Sequence, residues 1–299
     1  MNSIRTLSSS PVLVYPAGAA TSRGQVAFDE NGASISSNAT HNAANPNSAA
    51  NANSAVMGNG NLFGLDTIVT FEGAFAATGG PNLGQLFPYS MIGNDPLLGG
   101  KTEIPAKITT VSLRLLNADG SVNRIVSYNP FESITLDSPV FQDAPYGDGR
   151  SQFTDAIQRA EFFNTMKSDW HTQLDPSVVN RVTVTVPQFV NVRFPDGSIK
   201  QVQNYFFGTA PDGSTFVELL DLFFNSIFDN QVVNDIIDGN NTTDAFNMEL
   251  YPNTFLFSIN NQGQFANCCV LGFHDYFFEN GAVPQPRWIE AFASWISPG

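Results

Sequence analysis

Residues Thr215–Phe228, TFVELLDLFFNSIF, are the most decisive for the architecture. Phe216, Leu219, Leu220, Phe223 and Ile227 recur at spacings of three and four, the period that lays apolar side chains along one face of a helix. Phe224 widens that face. Thr215 is a suitable cap, and Glu218, three residues on, is its reciprocal partner. A buried helix over Thr215–Phe228 is expected. Upstream, Phe153, Ala156, Ile157, Ala160, Phe163 and Met166 repeat the same spacing, predicting a second main helix over Gln152–Trp170, with a chain break at Asp175-Pro176. A short helix near Thr243–Leu250, capped by Thr242 or Thr243, is also expected.

Strand signals surround these helices. Ile108–Asn117 (ITTVSLRLLN) meets the turn Ala118-Asp119-Gly120 and is answered by Val122–Tyr128. Arg181–Val186 (RVTVTV) alternates and is β-branched. Pro195-Asp196-Gly197 turns the chain into Ile199–Phe207. Thr254–Ile259, Cys268–Phe277 and Arg287–Trp295 complete the set, and Ser138–Arg150 reads as loop. Strands, helix, strands, helix, strands is the order of an α/β or α+β domain with a mixed sheet and two main helices.

The N-terminal part is different in kind. Asn31–Asn61 is Asn/Ala/Ser-rich, with no charge and no aromatic residue, and cannot bury enough apolar surface to offset its ordering entropy. Residues 1–61 are expected to be a disordered lead, and 62–299 one mixed globular domain beginning near Leu62. Pro11–Ala20 (PVLVYPAGAA) is apolar but short and twice interrupted by proline, so it reads as a linker or degenerate leader.

The net charge is −14, with only 13 Lys and Arg and no basic run. A nucleic-acid partner needs a basic footprint, so nucleic acid is not expected. No apolar stretch reaches the length of a membrane-spanning helix. With 26 Phe there is ample material for a core. The uncharged polar surface suits an extracellular or periplasmic protein. The sequons at Asn38, Asn240 and Asn241 carry meaning only in a glycosylating host.

Candidate chemistry is sparse. His41 lies in the lead. His171 follows Trp170 and suits the C-terminal dipole of the first helix. His274, beside Asp275 on the strand Cys268–Phe277, is either a polar strand-edge residue or a ligand or catalytic group, and is the one catalytic candidate. Cys268 and Cys269 are adjacent. Neighbours on a strand point to opposite faces, so two free thiols are expected. Two separated histidines and one cysteine pair give no zinc ligand set. Asp143, Asp148 and Asp155 surround a glycine-containing loop without EF-hand spacing, leaving a surface calcium site or a solvated loop. Gly79-Gly80 and Gly99-Gly100 lack the following helix and lysine of a phosphate cradle. Trp288 and Trp295 are either core residues or contacts for a sugar or a partner.

Six blocks carry a resemblance: Tyr89–Gly100, Ser138–Tyr146, Asp155–Asn164, Trp170–Val178, Asn267–Phe278 (NCCVLGFHDYFF) and Pro286–Gly299 (PRWIEAFASWISPG). In this order they resemble a group of largely uncharacterised secreted bacterial proteins, over about Leu62 to Gly299. Longer members of that group continue, after a segment like SWISPG, into a helix with a Ser-His-Glu stretch. That helix looks like the metal-binding helix of zincin-type metallopeptidases, in which a His and a Glu on one face hold or serve the zinc. The resemblance implies the sheet and edge strand of a zincin-like fold without the metal helix. It implies zinc for the longer relatives, none for this chain, and no catalytic residue to carry over. The alternative is a non-enzymatic extracellular module for carbohydrate, adhesion or assembly. A peptide or a carbohydrate is the expected partner class, and nothing in the sequence fixes an oligomeric state.

Overall fold

The structure, a computed structural model, describes residues 12–14, 69–76, 78–147, 149–278 and 287–297. Outside the described residues lie His41, the Asn38 sequon, Asp148, Leu62 and the expected lead, apart from Val12–Val14. In chain order the elements are β1 (Val12–Val14), β2 (Thr70–Ala76), β3 (Leu86–Ile92), β4 (Lys101–Leu116), β5 (Val122–Val126), α1 (Asn129–Leu136), β6 (Ala144–Tyr146), β7 (Gly149–Ser151), α2 (Phe153–Glu161) and β8 (His171–Val186). There follow β9 (Phe189–Arg193), β10 (Ile199–Gln203), β11 (Tyr205–Thr209), β12 (Thr215–Leu220), α3 (Asp221–Ile237), β13 (Phe246–Pro252), β14 (Thr254–Ile259), β15 (Phe265–Val270), β16 (Gly272–Phe278) and β17 (Arg287–Trp295). Among the described residues, with 50% strand and 18% helix in three helices, the fold is a strand-rich α+β arrangement.

Strand β4 organises it. Along residues 101–115 it pairs parallel with β8, and its other edge is shared by β13, parallel, and β5, antiparallel. Strand β17 lies parallel beside β13, and β16 runs antiparallel beside β17 as the last strand. The order β8-β4-β13-β17-β16 is thus four parallel strands closed by one antiparallel edge. From Ile108 to Leu113 strand β4 is buried on both faces, as expected for a parallel strand covered on each side.

The two covers differ. On one face α3 brings Phe223, Phe224, Ile227, Phe228 and Val232 against Val111, Leu113, Tyr251 and Phe292. The same core takes in side chains of β9 and β10, which with β1 form a three-stranded sheet, and of the four-stranded sheet β11-β12-β14-β15. Helix α3 is therefore the element on which three sheets meet. On the other face a smaller core of Ala106, Ile108, Tyr128, Phe141 and Leu250 is partly covered by Phe131 and Leu136 of α1.

The decisive stretch divides at Leu220. Thr215–Leu220 is a strand with Val217 and Leu219 fully buried, and the helix begins at Asp221 with Leu220 as its N-cap residue. Thr215 caps nothing. A short apolar run fits both periods, and here β-branching and the neighbouring strands select the strand.

Helix α2 is shorter than expected and faces the other way. Phe153 and Ile157 are each 47% exposed and Phe163 66%, while Asp155 is fully buried. The segment expected as a short helix near Thr243–Leu250 forms β13 instead, and α1 occupies Asn129–Leu136, between the expected strand Val122–Tyr128 and the expected loop Ser138–Arg150. Asp175-Pro176 does not break the chain. It lies inside β8, with Pro176 in register with Ala106 of β4, and among the described residues β8 pairs with β4 alone, the edge position at which a strand tolerates proline.

Three hairpins share one device. Asn117–Ser121, Phe194–Ser198 and Ala210–Ser214 each place Asp Oδ1 to accept from the N–H and the hydroxyl of the Ser two residues on, with the intervening Gly at φ near +82°. These hydrogen bonds hold the Asp119, Asp196 and Asp212 carboxyls below their usual range, the serine hydroxyl contributing most.

Candidate functional site

Beneath α3 the central sheet carries a polar row. Asn180, Thr109, Glu249 and Phe292 lie side by side across β8, β4, β13 and β17, and Asn247 and Glu290 are neighbours two residues back. Into this face the last turn of α3 brings Asp235, fully buried. Its carboxylate accepts hydrogen bonds from the Thr109 hydroxyl, from Asn180 Nδ2 at 2.7 Å, from Gln231 Nε2 at 3.0 Å and from Asn240 Nδ2 at 3.2 Å. Glu290 receives Asn241 Nδ2 at 3.3 Å on both oxygens. Glu249 has only a long hydrogen bond from the Tyr251 hydroxyl, 3.4 Å to Oε2, and its Oε1 is buried without a partner among the described residues.

Glu249 and Glu290 are each 1% exposed, and among the described residues neither forms an ion pair with Lys, Arg or His. Burial pushes the Glu249 carboxyl well above its usual range, and the charges of Asp235 and Glu290 push it further. Glu290 is raised by burial and then by Asp235. The Tyr251 hydroxyl is raised by burial and by Glu249. Burial and neighbouring carboxylates thus both favour the protonated forms of Glu249 and Glu290. No group of three or more His, Cys, Asp or Glu among the described residues converges as a metal site. Position in the strand was the available signal: NMELYP and RWIEAFASW each put a Glu where alternation turns it toward α3.

The residues singled out in the sequence are dispersed. His274 is exposed on β16 and pairs in register with Ala291, on the face away from α3, because its neighbour Phe273 packs against Phe224 and Phe228. Trp295 shares that face and stacks on Phe131 of α1, ring centroids 6.2 Å apart. Trp288 alternates with Phe292 onto the α3 face, so the two half-buried tryptophans do not form one platform.

His171 is not at a helix end. It opens β8, and its Nδ1 lies 2.7 Å from Asp155 Oδ2, while Asp155 Oδ1 accepts the Thr172 N–H at 2.8 Å. Asp155 is spent on this clasp. Asp143 accepts from Gln173 at the surface, so these two aspartates do not form a shared loop site.

Cys268 and Cys269 are not free thiols. They are joined in a disulfide across a cis peptide bond. The strand register explains the failed expectation. Leu256 pairs with Val270 and Phe257 with Cys268, so Cys269 is the extra residue of a bulge and face alternation lapses at the pair. A cavity of about 430 Å³ lies beside it, lined by Asp221 and Asn225 of the first turn of α3, by Phe257 and Ser258 of β14, by Asn267 and both cysteines of β15, and by Phe273. Asp221 is raised by partial burial. A second cavity of about 180 Å³ is lined by Cys269, Phe216, Glu218, Phe255 and Ile296.

No helix among the described residues is long and apolar enough to cross a membrane. No protein-family model, curated protein or solved structure matches the chain.

Proposed function

We propose that this chain is the sheet portion of a secreted, zincin-like, metallopeptidase-related domain, without the metal helix and inactive as a peptidase in this form. One observation carries the reading. Four parallel strands end in the antiparallel edge strand β16, which pairs only with β17 among the described residues. An open edge accepts an extended peptide by main-chain pairing. The face away from α3 supports the reading too. There Met248, Ala293 and Trp295 are only half-buried, room against which a further amphipathic helix would pack.

The test is elemental analysis together with a casein-cleavage assay. The 299-residue chain, purified without a tag, is expected to hold no stoichiometric zinc and to leave casein intact. A natural form with a His-Glu helix after the SWISPG segment is expected to gain both. Stoichiometric zinc in the 299-residue chain refutes the reading and makes His274 the first residue to replace. No zinc in either form transfers the weight to an extracellular binding module. The observation favouring that second reading is the 430 Å³ cavity with its Asn225, Ser258 and Asn267 side chains, within the size range of small-molecule sites.

A further inference from the structure

We propose that the Cys268–Cys269 disulfide is a redox-active group that exchanges with a low-molecular-weight thiol entering the cavity of about 430 Å³ beside it. This goes beyond the zincin-like reading and does not depend on it.

A disulfide stabilises a fold mainly through the chain loop it closes, and the effect grows with loop length. Here the sequence separation is one residue, so no loop is closed. The bond cross-links no two elements, and both sulfurs belong to β15, the last strand of its sheet.

Exchange requires a thiolate to approach a disulfide sulfur. Cys269 is exposed, whereas Cys268 is half-buried against the main core. Both cysteines line the cavity, and its volume falls within the roughly 300–1,000 Å³ of small-molecule sites. Asn225, Ser258 and Asn267 offer hydrogen-bonding groups for the body of such a thiol. The cavity also abuts the first turn of α3, a 17-residue helix.

The chemistry closes on the thiol alone. A thiolate attacks Sγ of the exposed Cys269, an S–S bond forms to the small molecule, and the Sγ–Sγ bond breaks. Its electron pair leaves on Cys268, which takes up a proton. A second thiolate attacks the mixed disulfide and releases Cys269. The protein disulfide is reduced to a dithiol, and two small thiols are oxidised to one small disulfide.

The probe is glutathione, applied to the folded full chain, with acid trapping, alkylation and intact-mass readout, and circular dichroism to show that the fold persists. Before treatment the denatured, unreduced chain should take no alkyl groups. After treatment it should take two. With oxidised glutathione, Cys268→Ser should form a mixed disulfide at Cys269 at least tenfold faster than Cys269→Ser forms one at Cys268. Asn225→Trp, placed at an exposed position on the cavity wall, should slow reduction by glutathione severalfold. Two alkylatable thiols in the untreated chain would overturn the proposal, as would a disulfide that glutathione reduces only after unfolding. Equal rates for the two serine variants would remove Cys269 as the attacked sulfur, and an unchanged rate in Asn225→Trp would remove the cavity as the route.

Discussion

Replacing Glu249 by Gln should flatten the pH dependence of stability. Glu249 and Glu290 are both about 99% buried, and both carboxyls are raised, by burial first and by neighbouring carboxylates second. For a carboxyl raised in the fold, stability is fully present below its unfolded value, about 4.3 for Glu, and is lost as pH rises through its folded value. In that window the folded chain holds a proton that the unfolded chain has released, so stability falls by about 1.4 kcal/mol per pH unit for each such group. Two glutamates together give a slope of up to about 2.7 kcal/mol per unit, shallower once either begins to ionise in the fold. Asp119, Asp196 and Asp212 are lowered instead, so their contribution is lost only as pH falls below the window and does not mask the effect. Glutamine has no proton to lose. Glu249→Gln should therefore remove up to about 1.4 kcal/mol per unit from the slope, read as urea-unfolding free energies at pH values stepped upward from about 4.3. Glu290→Gln should act in the same direction and serves if the first variant folds poorly. A wild-type slope in both variants would refute the argument, because it would mean that the folded chain does not hold those protons.

Phe223→Ala should cost about 3–5 kcal/mol in the same assay, since Phe223 is 3% exposed in the core on which three sheets meet; a loss under about 1 kcal/mol would place that side chain at a surface. Asn253, 2% exposed at φ 41°, donates to Ser214 Oγ, Thr215 O and Ser297 Oγ and accepts the Ser297 N–H, so Asn253→Ala should destabilise by about 2–4 kcal/mol. Asn253→Gly should cost about 1 kcal/mol less than Ala, because glycine bears no penalty in the left-handed region, and equal losses would deny the backbone part of the argument.

What could be read in advance was the strand whose neighbours impose nothing unusual. Thr254–Ile259 and Arg287–Trp295 have the expected boundaries because β-branched and aromatic residues, alternation and flanking turns all agree there. Thr215–Leu220 failed because Phe216, Leu219 and Leu220 satisfy a helical and an extended period equally. A resolving signal was present. Ala210–Ser214 (APDGS) repeats the turn of Phe194–Ser198 (FPDGS), and a chain leaving that turn enters the returning strand of a hairpin. Turn chemistry, which works over five residues, outranked a periodicity that needs more than ten to be decisive.

Helix α2 shows why the site was harder to read than the sheet. Its apolar stripe was real, and the spacing of Phe153 and Ile157 is helical, yet the face turned inward carries Asp155. That carboxylate bonds two groups of β8, His171 and the Thr172 N–H, and a buried acceptor with both partners in place orients a nine-residue helix against its own amphipathicity. The same holds for Asp235, Glu249 and Glu290. Each is remote in sequence from the residues it faces, and each acquires its character from burial that only the packed α3 creates. Local spacing reports the period of an element, whereas the state of a buried carboxyl depends on what is stacked over it. Glu249 would be an ordinary acid on an uncovered strand, and its carboxyl is raised here because burial beneath α3 and the charges of Asp235 and Glu290 disfavour its ionised form.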